Sequence, residues 1–399
     1  MAKTKPSKPA SKKIEKSVLN RTSGMSSKTS TPPPSPAQLL LQATTALQEG
    51  DIVTAIPLAT RALSLVEVDS EDALPALNLL GEIHVELGDI AAAREYFLMA
   101  VNIDSEGEVS EDLGGGAEKF LWLAQLSEDG GEDSVGWFER GATTLRWQIQ
   151  QLLETHSKKG GAASAAASAE LESILEEKRR KLATALCGVV EVYMTDLSWE
   201  EDAEQKCEAL VTEATMVAPG FADPWQTLAS VRISQIRLED ARAALTRSLD
   251  LWKDLSPEDS AVPDFPTRVS LARLLMEAEM EDEAIEVLER LVGEDDSAVE
   301  VWYLGGWGLY ILGEKQKEKE GGETYKISWI SSRQWLNESM RLFKLVDHDD
   351  ERLGEHAKEL IALLDKDLGG PMKEGEEEDD DEGEEWESGD EEDEEMAEA

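Results

Sequence analysis

The chain has 399 residues, 41% of them hydrophobic, with 39 Lys/Arg against 85 Asp/Glu and a formal net charge of −46. No apolar run is long enough to span a bilayer, and the start lacks the apolar stretch of a secretory signal. Two cysteines, Cys187 and Cys207, make neither a disulfide framework nor a metal site, so a reducing compartment, cytoplasm and nucleus, is expected, with no membrane involvement.

Residues 1–30 carry eight Lys/Arg and one Glu, residues 373–399 carry Lys373 and eighteen Asp/Glu, and the intervening 31–372 hold the remaining −36. A body of that sign repels nucleic acid and attracts basic partners. Direct phosphate-backbone contact needs clustered Lys/Arg on a folded surface, so no direct nucleic-acid partner is expected.

Residues 1–35 are Lys, Ser, Thr and Pro with few apolar groups; they cannot bury enough surface to offset their ordering entropy and read as a disordered basic arm. Its lysines allow a nuclear-import signal read by an import receptor, or a merely solubilising arm. From Pro36 the pattern turns helical, with Ser35 as N-cap and Pro36 at the first helical position. Ala43, Ala46, Ala55, Ala59 and Ala62 fall where two paired helices touch, and Gly50-Asp51 makes their turn. A second pair covers 74–107, with Gly88-Asp89 as its turn. A third is degraded: helices near 117–127 and 133–153, preceded by Gly114-Gly115-Gly116 and interrupted by Gly130-Gly131.

A low-complexity patch at 157–169 reads as a flexible insertion or a frayed helix start. A fourth pair follows from about 170 to 218, a fifth at 222–255 and a sixth from about 265, with Ala272 and Ala284 twelve apart. In the seventh, Trp302, Gly306 and Leu309 open a helix that Gly313 is expected to end. Residues 315–330 look like an insertion, and Trp335, Leu336, Ser339 and Phe343 mark the second helix. A last helix near 350–367 places Leu353, Leu360, Ile361 and Leu364 on one face and serves as a cap. The acidic remainder, 369–399, has no core-forming capacity. It reads as a solubilising tail or as a tethered polyanion near a basic ligand, with Trp386 as a linear contact.

These pairs share fixed offsets. Leu77, Leu80, Gly81 and His84 are followed by Ala93, Phe97 and Ala100, and Trp225, Leu228, Ala229 and Arg232 are followed by Ala241, Leu245 and Ser248 at the same spacing. The pattern is that of the tetratricopeptide repeat (TPR), two helices in about 34 residues. One such hairpin cannot bury its apolar face alone, so repeats stack into a solenoid. The predicted fold is therefore an all-α TPR superhelix over 36–368, with disordered ends at 1–35 and 369–399.

No catalytic constellation stands out, and an enzyme is not expected; nor is any cofactor. His84 sits at an aromatic repeat position and is expected to pack between helices. His348 and His356, eight apart, lack the partners of a zinc site. Gly306-Trp307-Gly308 has no preceding strand and reads as close helix packing rather than a dinucleotide loop.

TPR geometry implies which first-helix positions face the groove. In the second repeat these include Asn78, Glu82 and Glu86, in the fifth Asp223 and Gln226, and in the seventh Glu300, Tyr303, Trp307 and Tyr310. The three rings are spaced i, i+4, i+7 on one face; they either pack against the capping helix or stand open as interface anchors. Arg273 is the one basic residue at an assignable groove position, which speaks against clamping a C-terminal carboxylate. The wall suits a Lys/Arg-rich segment with interspersed apolar side chains.

The segments ALCGVVEVYMTDLSWEEDAEQKCEAL (185–210), DPWQTLASVRISQIRLEDA (223–241) and VWYLGGWGLYILGE (301–314), with the basic start and acidic end, resemble the fungal assembly chaperones dedicated to large-subunit ribosomal protein four. The resemblance covers most of 36–399. It implies an ATP-independent chaperone, monomeric with one client, that holds the long internal loop of a basic ribosomal protein and delivers it to nuclear pre-ribosomes. A histone chaperone and a TPR scaffold for a non-basic partner are the alternative readings.

Overall fold

The computed structural model describes residues 34–159, 165–320 and 323–370. The arm before residue 34 and the tail after residue 370, including Trp386, lie outside the described residues. Among the described residues fifteen α-helices follow one another, in seven antiparallel pairs and a final single helix. The pairs are α1 Pro36–Gln48 with α2 Ile52–Leu63, α3 Leu74–Glu86 with α4 Ile90–Ile103, α5 Glu118–Gln125 with α6 Gly131–Lys159, and α7 Ala165–Met194 with α8 Ala203–Val217. Then come α9 Asp223–Ser234 with α10 Leu238–Asp250, α11 Phe265–Glu277 with α12 Glu281–Glu294, and α13 Val299–Glu320 with α14 Thr324–Val346. The last is α15, Glu351–Leu368. The all-α repeat architecture expected from the sequence is therefore present, and no helix among the described residues is long and apolar enough to cross a membrane.

Local chemistry sets the ends. Ser35 and Gln38 form a capping box at the start of α1, satisfying donors that a helix start leaves open. Gly50 and Gly88 adopt φ of 75° and 72°, and the following Asp51 and Asp89 accept from the amides of Thr54 and Ala92. Within pairs, small residues let helices approach: Ala43, Ala55 and Ala59 have no exposed surface, and a Cβ on Gly81 would sit 2.6 Å from the Phe97 ring.

Two expectations need revision. The helix α13 does not end at Gly313 but runs on to Glu320. Gly313 is instead where the Trp329 indole of α14 lies against the helix, too close for any side chain. Much of 315–330 thus lengthens both helices of the hairpin, tied down by Lys315 to the nearly buried Glu281 of α12 at 2.7 Å and by Ser328 to Gln316 at 2.9 Å. Likewise the low-complexity patch is helical at both margins, as the end of α6 and the start of α7; residues 160–164 lie outside the described residues.

The degraded third repeat is held by a polar knot. Asp104, 4% exposed, accepts from the amides of Glu108, Val109 and Gly116 and from Lys119 Nζ at 2.7 Å, itself 1% exposed. Lys178 of α7 reaches Glu111 at 2.7 Å and Gln148 at 3.0 Å. The first set ties the end of α4 to the loop and α5, and the second ties that loop to α6 and α7. Removing one partner of a buried pair strands the other, so Asp104→Ala is expected to destabilise the protein by about 3–5 kcal/mol; urea unfolding followed by circular dichroism checks this, and a change within experimental error would show the knot to be dispensable.

Candidate partner-binding trough

The first helices of successive pairs pack on one another in the order α7, α9, α11, α13, and α15 continues the row. Two depressions open along this row. One, of about 630 Å³, lies over α7, α9 and α11 and includes Thr184, Glu191, Asp223, Thr227, Ser230 and Glu277. The other, of about 650 Å³, lies between α11, α13 and α15, with Tyr303, Leu304, Trp307, Ile311, Leu353 and His356. Arg273 and Glu277 belong to both, so the depressions form one continuous trough.

The first depression is polar and anionic. Burial, and next the neighbouring Asp264, push the Asp223 carboxyl up to about 6. Glu191 is an exposed residue that lines the same depression, and desolvation by the surrounding protein raises its pKa too. Neither has an ion-pair partner among the described residues. Gln226, 6% exposed, forms part of the floor and donates to Ser248 Oγ at 3.3 Å. The Cys187 thiol, also on the floor, is pushed up to about 12 by burial and stays protonated and unreactive.

The second depression is aromatic. The half-buried Tyr303 and Trp307 rings lie 6.0 Å apart, and both meet the edge of His356 at 5.8 and 5.4 Å. The Tyr303 hydroxyl and His356 Nδ1 are 2.7 Å apart. Leu304, Met276 and Leu353 form a nearly buried floor. Glu300 pairs with Arg273 at the rim, and Asp350 and Arg352 stand opposite.

The structure thus brings Asp223, Gln226, Glu300, Tyr303 and Trp307 into one trough and separates the others from it. Tyr310 stacks on Trp329, ring centres 6.0 Å apart, and lines neither depression. Glu82 and Glu86 lie on α3, outside both; burial, then Glu118, raises the Glu82 pKa. Asn78 donates to the Gly114 carbonyl at 2.6 Å and so braces the loop before α5. His84 stacks on Tyr96 at 5.4 Å. Sequence reasoning missed Glu191 and Glu277, and considered His348 and His356 only as zinc ligands; both histidines line the aromatic depression.

Fold and trough together define a class: a TPR solenoid in which one row of first helices offers carboxylates and half-buried rings along the same trough. The tetratricopeptide-repeat family model matches residues 74–106. A probable assembly chaperone of rpl4 from Emericella nidulans is 47% identical over 401 aligned positions, 97% of each chain. One from Schizosaccharomyces pombe is 33% identical over 307, covering 76% of this chain and 84% of the relative. The solved structure of the assembly chaperone of RpL4, Acl4 (its residues 1–338), superposes with a TM-score of 0.66 at 59% identity, covering 71% of this chain and 99% of that one. The chain belongs to this family of fungal RpL4 assembly chaperones.

The burial of Asp223 makes the stability of the protein depend on pH. Its folded-state pKa lies above that of an unfolded aspartate, so its contribution to stability is fully present below about pH 4 and lost as pH rises through about 6. Asp223→Asn is therefore expected to stabilise the free protein at pH 7.5 by on the order of 1–3 kcal/mol, and to lose that advantage at pH 4. Thermal unfolding at the two pH values decides; a less stable variant at pH 7.5 would mean that the native carboxylate is favourably paired.

Proposed function

We propose that the protein is an ATP-independent assembly chaperone of ribosomal protein L4, which holds a basic, extended segment of its client in the trough from α7 to α15. The names of its relatives support the client. The single observation that carries the mode of binding is that one trough holds both the carboxylates of Glu191 and Asp223, which form no salt bridge among the described residues, and the half-buried rings of Tyr303 and Trp307.

Magnitudes assign the work. Exposed ion pairs give about 0–1 kcal/mol each, ordering a disordered segment costs roughly 2–5 kcal/mol, and a nanomolar complex needs about −12 kcal/mol. Charge alone gives fast capture and poor retention. The carboxylates therefore steer, and the rings retain. Covering a cationic loop in this way prevents its aggregation and its indiscriminate pairing with RNA. Release needs no nucleotide, because ribosomal RNA is a denser polyanion and outcompetes the wall. The basic arm at 1–35 provides for entry to the nucleus through an import receptor, and one monomer serves one client.

Reversing both carboxylates, Glu191→Lys with Asp223→Lys, is expected to weaken binding of purified L4 by about 100-fold at 0.15 M salt, mainly by slowing association, whereas Tyr303→Ala with Trp307→Ala should cost about 10- to 100-fold through faster dissociation. Surface plasmon resonance separates the two. Unchanged L4 affinity in both variants, or tighter capture of core histones than of L4, contradicts the assignment.

A further inference from the structure

The two depressions differ in chemistry, and their separation is set by the repeat. The aromatic one has a closed apolar floor, Leu304 and Leu353 at 2% and 8% exposure, beneath the half-buried rings of Tyr303 and Trp307, which meet His356 of the capping helix and line the depression. Its volume of about 650 Å³ accommodates a large side chain with neighbouring backbone. The anionic one is lined by the carboxylates of Glu191 and Asp223 together with Thr227 and Ser230. That acceptor set matches a guanidinium or ammonium, whose donors all need partners once water is excluded. Between them Glu277 carries no ion pair among the described residues, while Arg273 is held toward Glu300.

The anionic depression is lined by α7, α9 and α11 and the aromatic one by α11, α13 and α15, so their middle helices, α9 and α13, are two first-helix steps apart. Packed helices are about 8–10 Å apart, so these two are separated by roughly 16–20 Å. An extended chain advances about 3.3 Å per residue, so five to six residues bridge them, roughly.

We propose that the trough reads its client at two points: an aromatic or long aliphatic side chain enters the depression between α11, α13 and α15, and a Lys or Arg about six residues away along an extended segment enters the depression over Glu191 and Asp223. This rests on the trough being the client site, and it adds a register: net charge alone does not select a segment. The charge on the wall supports this occupant. Three carboxylates face one arginine in the anionic depression, and three face two in the aromatic one, so a cationic segment is favoured at both ends and an acidic one at neither.

The test uses the full chain and short labelled peptides of identical composition, one Phe and one Arg on a Ser/Thr background, placed about two, six or ten residues apart. Fluorescence anisotropy is expected to give at least about 10-fold tighter binding at the middle spacing. Glu191→Gln with Asp223→Asn, and separately Trp307→Ala, should each abolish that preference. Ile311→Trp, which fills the aromatic depression, serves if Trp307→Ala does not fold. Equal affinity at all three spacings, or a preference that survives both variants, overturns the two-point reading. If L4 itself still responds to charge reversal in the trough, the client assignment stands without the register; if L4 responds to no trough variant, both fail.

Discussion

The constraint on which the structure depends is the close approach of helices where side chains are small or missing. The Phe97 ring occupies the space above Gly81, and Leu336 and Trp329 of α14 do the same over Gly306 and Gly313 of α13. Ala229 with Ala241, and Ala272 with Ala284, are fully buried at comparable positions. Interiors are packed too densely to absorb an added methyl group, so these positions fix how each pair closes. Stacked pairs then place their first helices in a row, and the row is the wall of the trough. Cores of neighbouring pairs also share residues: Leu228 packs into the cluster before it and the one after, and Tyr303 and Trp307 join the fifth-to-seventh pairs to the terminal one.

Within that scaffold, charge is handled in two opposite ways. Where it is structural it is paired: Lys119 with Asp104, and Arg268, 3% exposed, with both oxygens of Glu294 at 2.6 Å. In the trough, Glu191 and Asp223 form no salt bridge among the described residues, and burial outweighs the attraction of Arg180 at Asp223, so the surrounding protein disfavours the ionisation of both. Carboxylates left in that condition cost the free protein stability at neutral pH, a cost that protonation or an arriving cation removes. The same division applies to the aromatics. Trp252 and Trp329 are 2% exposed and serve the core, whereas Tyr303 and Trp307 are half-buried against His356 and keep a face open toward the trough. A wall built this way gains more from a cationic, partly apolar polypeptide than from a polyanion or a purely charged one.

The helix pairs were legible because their landmarks are geometric. Gly88-Asp89 needs a left-handed residue and a capping carboxylate, and both needs show in the sequence. Ile236 and Glu279 take the same left-handed conformation, φ 59° each, at the turns of the fifth and sixth pairs, and nothing in their residue type announces it. Gly313 was misread for a related reason: glycine ends helices and also admits a neighbouring ring, and only the position of Trp329 distinguishes the two. The trough was half legible. Asp223, Glu300, Tyr303 and Trp307 follow from counting along repeats with clear landmarks. Glu191 lies on the thirty-residue α7, whose Gly188 faces Phe138 of the preceding pair rather than its own partner helix, so the count has no anchor there. Tyr310 shares the periodicity of Tyr303 and Trp307 but stacks on Trp329, because the lengthened hairpin of α13 and α14 covers it. Asn78 is drawn away to the Gly114 carbonyl of the loop before α5.

The most direct test of the account is site-specific photo-crosslinking of the full chain to ribosomal protein L4. Benzophenone side chains placed at Thr227 and Ile311, in the two depressions, should capture the client in high yield. The same group at Leu98 on α4 or Thr246 on α10, which line neither depression, should capture little. Crosslinks confined to Leu98 and Thr246, with none from the trough, would contradict the claim that this row of first helices holds the client.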